Sequence, residues 1–307
     1  MYDAIVVGAG PAGSACALRL ARTGLNVVIV ERSLFPRTKA CGEYLNLGAL
    51  AELDALGVAD VSVAGEPIHG IRLYGLGLAV ELPLTVCARG FSRRSLDARL
   101  LQTAIDAGAS MVHGRVEDVD CAGDGVRVTF RAASGVVEEV RARMLVGADG
   151  MESTVARKTG MTAPKKRRAR FAVGGHFGGF ASLDGFVEMY VDRDSYFAVN
   201  PLGGGEANIM VVVHSDELLG WRGNIDERLR QTAVRLSAGR RTFSGVKQLD
   251  KRVAIGPLDH RTHRLTGKHR LLVGDAGEFV DPFTGQGVFL ALSGARRAAE
   301  AIVAVLC

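Results

Sequence analysis

Residues 4–7 (AIVV) make a short unbroken apolar run, the pattern of a strand buried on both faces, and they lead directly into Gly8, Gly10 and Gly13. Small residues at Ala12, Ala15 and Ala17 then predict a closely packed helix that stops at Gly24, a residue suited to a left-handed terminator. A second buried strand over residues 26–30 ends at Glu31. After a mixed loop, RSLFPRTKACGEYLN, an amphipathic helix is expected over residues 47–56, closed by Gly57. Residues 69–74 and 78–82 read as a hairpin around Gly75 and Gly77, set in a second layer. Ser92 is placed to cap a helix that buries Leu96, Leu100 and Ile105. Val126, Val128 and Phe130 alternate with Arg127 and Thr129 as in a half-exposed strand, and the apolar residues 144–146 end in GADG.

From Phe171 to Val213 the pattern changes to strands separated by glycines, at residues 186–191, 196–199 and 209–213. Asn224 is the expected cap of a helix carrying Ile225, Leu229, Ala233 and Leu236 at helical spacing. Residues 270–273 are again a buried strand, running into GDAGEFVDPFTGQG, and the last helix lines up Val288, Leu292, Ala295, Ala299 and Ile302 on one face. Internal repeats and low-complexity tracts are absent from the sequence.

The glycine spacing G-x-G-x-x-G, between a strand and a helix, carries chemistry. Gly8 permits the tight turn, Gly10 lets backbone approach a pyrophosphate, and Gly13 lets the helix close on the strand. Pro11 and Ala12 complete the turn, whose free amides and positive helix end face the phosphates. Glu31, followed by Arg32, is the ribose reader; its carboxylate accepts from both ribose hydroxyls and repels a 2′-phosphate, so FAD or NAD is expected rather than NADP.

Composition narrows the class. At 307 residues, 48% hydrophobic and 23% charged, the chain has the composition of an ordinary globular protein of one large or two joined domains. No apolar run approaches the roughly 20 residues of a spanning helix, and a strand beginning at Ala4 leaves no room for a leader, so a cytoplasmic location is expected. Five scattered cysteines without a C-x-x-C pair indicate neither a disulfide framework nor a zinc site. Cys16 and Cys87 read as core residues and Cys121 as a loop residue. Part of the net charge of +5 lies in one run, KKRRAR, from Lys165 to Arg170. A solvated loop, an anionic membrane surface, an NAD(P)H phosphate or an acidic carrier protein would each suit it, whereas nucleic acid is not expected without aromatic platforms or a helix-turn-helix.

GAGPAG with Glu31, GADG at 147–150 and GDAG at 274–277 followed by DPFTGQG together resemble the FAD-dependent oxidoreductases of the p-hydroxybenzoate hydroxylase fold. Within that fold, FPRTKACGEYL resembles the geranylgeranyl reductase group. The resemblance implies an α/β protein: a Rossmann-type FAD-binding domain of the glutathione reductase type 2 class with an inserted antiparallel β-sheet substrate domain. Residues 1–66, 92–163 and 252–307 are assigned to the first, and 67–91 with 164–251 to the second. R-x-x-L-D would set Arg93 near the FAD phosphates or flavin, Val116 would offer its backbone to adenine, and Asp149 with Gly150 would hold the FAD-side turn. Asp275 ends a strand within reach of the ribityl chain, and the amides of Gly285 to Gly287 open a helix toward the flavin, where they stabilise its reduced anion. Helix capping is the plainer alternative for Asp149 and Asp275.

Cys41 is the marker of the reductase group. The resemblance puts it on the substrate side of the flavin, and Arg37 and Lys39 would favour its thiolate; a catalytic acid or redox group and an inert thiol both stay open. Related prenyl reductases resemble Y-x-W-x-F-P where this chain has Tyr196-Phe197-Ala198-Val199-Asn200-Pro201, which implies a wider and more polar pocket. A single tryptophan, Trp221, leaves no room for a two-tryptophan halogenase motif, and Glu278 stands where aromatic hydroxylases carry histidine. The expected activity is NAD(P)H-driven reduction, through FAD, of a carbon–carbon double bond in an apolar isoprenoid or polyketide-like substrate, with Cys41 or Tyr196 supplying the proton. The alternatives are a flavin monooxygenase acting on an aromatic or polyketide substrate, and an FAD-binding module without turnover.

Overall fold

The computed structural model describes residues 1–58, 60–164, 169–221 and 223–307, with the side chain of Ser62 also left aside. Residues 165–168 of the basic run therefore lie outside the described residues. In chain order the first half contains β1 (Tyr2–Val7), α1 (Pro11–Arg22), β2 (Val27–Glu31), β3 (Tyr44–Leu45), α2 (Leu47–Ala55), α3 (Asp60–Ala64), β4 (Glu66–Gly75) and β5 (Leu78–Gly90). There follow α4 (Arg93–Asp106), β6 (Ser110–Asp120), β7 (Val126–Ala132), β8 (Val137–Gly147), α5 (Thr154–Lys158), β9 (Arg170–Gly178), β10 (Phe186–Val191), β11 (Tyr196–Gly203) and β12 (Glu206–His214). The chain closes with α6 (Ser215–Leu219), α7 (Ile225–Ser237), β13 (Lys247–Gln248), β14 (Val253–Ile255), β15 (Thr266–Gly267), β16 (Arg270–Leu272) and α8 (Gly287–Leu306).

The first sheet has a parallel centre in the order β6-β2-β1-β8-β16, and β6, β7 and β8 extend past it as an antiparallel meander. Its register pairs Val7 with both Val30 and Gly147, and Gly147 with Leu272. Gly8, Glu31, Asp149 and Asp275 consequently emerge together at the carboxyl edge, where open α/β sheets bind ligands. Gly8 has φ +100, and a Cβ at Gly13 would lie 1.8 Å from the Gly8 carbonyl oxygen, so each glycine is required by the close seating of α1 on β1. Helices α1, α2, α4 and α8 cover one face around Leu18, Leu20, Leu53, Leu96, Leu100 and Leu292. The other face closes on the meander and α5 through Ile5, Val28, Phe130, Leu145 and Val155.

The second sheet runs β13-β9-β12-β11-β10-β4-β5-β3, with β14 also on β9. It is antiparallel as expected except between β4 and β10, which pair in parallel. Its alternation sorts residues onto two faces. Tyr190, Phe197, Val199, Ile209 and Val211 pack beneath α7 and Trp221, while Val187, Met189, Tyr196, Met210 and Val212 face the first sheet's carboxyl edge.

Four expectations change in detail. Ile105 points outward, 38% exposed, and Leu101 and Ala104 fill the buried side of α4 instead. Asn224 does precede α7, but its side chain makes no capping bond. Cys87 is half-buried on β5, its Sγ 3.2 Å from His69 Nδ1, rather than in the core. The strand expected over residues 78–82 extends to Gly90, and its outer stretch is an exposed apolar edge with Leu78, Val80, Leu82 and Val86 between 41% and 65% exposed.

Candidate active site

A cavity of about 770 Å³ lies where the two sheets meet. Every cofactor-binding or catalytic candidate from the sequence lines it except Gly13, which sits one turn into α1 and acts through packing. One half is the carboxyl edge of the first sheet, with Gly8, Gly10, Pro11, Ala12, Glu31, Arg32, Val116, Asp149, Gly150, Asp275, Gly285 and Gly287. The other half is an apolar floor from the second sheet, with Ile71, Val187, Met189, Ala198, Met210 and Val212. Cys41 and Tyr196 line the same cavity.

The first half fits a dinucleotide. Gly10 occupies the N-cap position of α1 and brings no side chain, and a Cβ there would meet nothing closer than the Arg37 guanidinium at 3.8 Å. The first amides of α1 are thus open to a diphosphate. Glu31 Oε2 accepts from Ala9 N at 2.7 Å and Oε1 from Ser33 N at 2.7 Å, which fixes the carboxylate while its remaining lone pairs face the cavity. At the far end the segment 281–287 leads into α8, and a Cβ on Gly287 would meet open space, so the start of this 20-residue helix is likewise uncovered. Asn46 Nδ2 donates to the Gly285 carbonyl at 3.3 Å and steadies that turn.

Asp149 spends its carboxylate locally. It accepts from Ser153 Oγ at 2.6 Å and from Thr154 N at 2.6 Å, the capping arrangement that was the alternative for it, and burial pushes its acid up. Asp275 behaves differently: burial also raises it, yet the cations facing it are Arg93 and Lys39.

A cationic patch surrounds the Cys41 loop. Arg93 forks onto Asp97, Nε to Oδ1 at 2.7 Å and Nη2 to Oδ2 at 2.8 Å, and Arg37 joins the same carboxylate at 3.2 Å. Asp97 is fully buried, so two guanidiniums share one carboxylate and a net positive charge is left facing the cavity. Lys39 is lowered by burial and then by Arg37 and Arg93. For Cys41 the expectation from Arg37 and Lys39 is corrected: burial pushes the thiol up, and the cation opposing it is Arg93. The thiol rather than the thiolate is the resting form, which suits a proton donor better than a nucleophile.

Tyr196 donates to Asp281 Oδ1 at 2.9 Å and meets Phe283 edge-on at 5.4 Å. Burial first, then Asp281, drives the phenol well above its ordinary range. Arg170, the described end of the basic run, pairs with the same Asp281, so that end of the run backs the cavity-lining Tyr196 from behind. Asp281, Asp97, Glu43 and His176 were not anticipated. Asp97 was readable as the last residue of R-x-x-L-D, four residues after Arg93, but Glu43 and His176 meet across 133 residues and leave no local signal.

Comparison with known proteins bears on this site. The chain matches the FAD binding domain family over residues 1–307. It is 32% identical to a menaquinone reductase of Mycolicibacterium smegmatis, over 97% of this chain and 75% of that protein. A digeranylgeranylglycerophospholipid reductase of Methanopyrus kandleri is 31% identical, over 98% and 80% respectively. A 1H-pyrrole-2-carbonyl-(peptidyl-carrier protein) brominase of Pseudoalteromonas luteoviolacea is 26% identical, over 98% and 77%. Among solved structures, a flavoprotein/dehydrogenase from Cytophaga hutchinsonii superposes with a TM-score of 0.89 at 22% identity, covering 99% of this chain and 78% of that one, which speaks for the fold alone. With a dinucleotide edge built on α1 and α8, and reductases matching nearly its whole length, the chain belongs to the FAD binding domain family and is an FAD-dependent oxidoreductase of the geranylgeranyl reductase-like group.

Proposed function

We propose that this flavoprotein reduces a carbon–carbon double bond in an apolar, isoprenoid or polyketide-like substrate, drawing its electrons from NAD(P)H. The observation that carries this reading is the single cavity that joins the dinucleotide edge to the apolar floor, with Cys41 lining it between the two. FAD held at this edge would, in its reduced form, supply the hydride for one carbon of the double bond. Glu31 would hold its ribose, the first amides of α1 with the Arg37 and Arg93 patch its diphosphate, and the start of α8 would stabilise negative charge on its ring system. Met189, Ala198, Met210 and Val212 bury the hydrocarbon and exclude water. Cys41 gives the proton to the second carbon and regains one from solvent after product leaves, and Tyr196, held by Asp281, orients the substrate. NAD(P)H visits transiently, because the sequence has no second G-x-G-x-x-G.

The test is a turnover assay with NADH or NADPH and unsaturated isoprenoid quinones or lipids, with products read by mass spectrometry. Gain of two hydrogens supports the reading. Incorporation of an oxygen atom from air would replace it with the monooxygenase, and absence of any NAD(P)H oxidation with every acceptor would leave an FAD-binding module.

We further propose that the substrate is taken from a lipid surface. No helix among the described residues is long and apolar enough to cross a membrane, and the support is the exposed run of β5, whose Leu82 pairs with the cavity-lining Ile71. Flotation with anionic liposomes at low salt should carry the protein up, and Val80→Lys with Leu82→Lys should abolish this while FAD stays bound. Equal flotation of the wild type and this variant, or none by either, contradicts the proposal.

A further inference from the structure

Glu43 is an acid buried to 1% exposure in a left-handed backbone conformation, φ +57, a combination that costs free energy twice over. It is held on every side. Its carbonyl oxygen accepts from Phe91 N at 2.9 Å and Asn200 Nδ2 at 2.9 Å. Its Oε1 accepts from Arg93 N at 2.7 Å, and its Oε2 lies 2.7 Å from His176 Nε2. The other ring nitrogen of His176 lies 2.8 Å from Asp250 Oδ2. With a carboxylate on each side, His176 is the doubly donating imidazolium, and its ring is locked.

These contacts converge on the thiol. Glu43 N donates to Cys41 Sγ at 3.4 Å, so the turn that aims Cys41 into the cavity is set by the residue that His176 grips. The geometry also joins two sheets: Glu43 belongs to the loop between β2 and β3, His176 to β9, Asn200 to β11, and Asp250 to the segment before β14. A strained residue fixed by five partners from four chain segments is the mark of an over-determined functional position.

We infer that Glu43 and His176 are positioning residues for the proton-donating step, holding the Cys41 thiol toward the substrate floor through the Glu43–Cys41 turn. This rests on the role proposed above for Cys41. His176 touches no cavity surface; it acts through Glu43, and Asp250 keeps its ring in place. The substrate sheet thereby sets the aim of a group carried by the flavin-binding half.

The test compares His176→Phe, His176→Gln and Glu43→Gln with the wild type, all as FAD-loaded protein. Two quantities are read: alkylation of Cys41 by iodoacetamide, resolved by peptide mass spectrometry, and steady-state NAD(P)H-driven reduction of an unsaturated isoprenoid. Loss of the grip in His176→Phe should raise Cys41 alkylation about tenfold or more and lower kcat at least tenfold with KM little changed. His176→Gln keeps a donor for Glu43 and should restore most of both. In a Cys41→Ser background the same substitution should have no further effect on turnover. The inference is overturned if Cys41 alkylation and kcat in His176→Phe and in Glu43→Gln match the wild type. It is equally overturned if FAD affinity, melting temperature and activity fall together without rescue by His176→Gln, the behaviour of a merely structural contact. If Cys41→Ser alone turns over normally, the proposed role of Cys41 fails, while the alkylation comparison still decides whether His176 sets the loop.

Discussion

Glu31 illustrates how much one side chain at the dinucleotide edge does. It fixes the first glycine turn through Ala9, fixes the following loop through Ser33, and keeps lone pairs for a ribose. Glu31→Gln retains the shape but removes the charge, and a hydrogen bond to a charged group is worth about 1.5–3 kcal/mol. FAD should therefore bind roughly 10- to 100-fold more weakly, measured by flavin fluorescence titration of the apoprotein; unchanged affinity would mean the ribose is held elsewhere. Asp97 has the opposite role, since it faces two guanidiniums and no ligand. Asp97→Asn leaves Arg93 and Arg37 buried without a counter-charge and should cost about 3–5 kcal/mol of stability in chemical denaturation. The glycine turn and Glu31 were legible because their spacing is local. Glu43, His176 and Asp281 were not, because each gains meaning only from a partner brought by the other sheet.

The elements divide the same way. Strand β10 was readable to the residue because apolar positions flanked by glycine and acidic turns bound it on both sides. Strand β8 was readable only at its apolar end, since its first half pairs with β7 in the exposed meander and carries Glu138, Glu139 and Arg141 instead of a hydrophobic run. The parallel pairing of β4 with β10 could not be inferred from alternation, which is identical for either direction. Phe197 on β11 shows what holds the second sheet to its helix layer: it is fully buried, stacks on Tyr190 at 4.5 Å and touches Phe243. Phe197→Ala should lower stability by about 3–5 kcal/mol, with FAD affinity unchanged, because its side chain lies on the face away from the cavity. A parallel loss of FAD would show that the two sheets do not respond separately.

At the scale of the whole molecule the two sheets are tied by charge as well as by packing. His176 is raised from its ordinary value to about 9, chiefly by its hydrogen bond to Glu43 and then, against the cost of burial, by Asp250. The charged groups facing it are Glu43 from the loop before β3 and Asp250 from the segment before β14, and the Arg93 backbone amide holds the far side of the Glu43 carboxylate. Because the folded value lies above the unfolded one, the pair stabilises the fold fully below about pH 6.5, and that contribution is lost as pH rises through about 9. Denaturation midpoints should therefore fall between neutral pH and about pH 10 in the wild type, and His176→Gln should flatten this limb. A wild-type midpoint unchanged across that range would contradict a charged His176.

The central claim is that flavin edge and apolar floor form one reaction chamber, and the floor offers the most direct test at Ala198, where related reductases carry tryptophan. The measurement is the rate at which an unsaturated isoprenoid reoxidises the prereduced protein without oxygen, in the wild type and in Ala198→Trp, alongside FAD affinity for both. The account predicts single-turnover reoxidation by the wild type and a loss of tenfold or more on filling the floor, with FAD affinity unchanged. Equal rates in the two proteins, or reoxidation by oxygen alone, would contradict it.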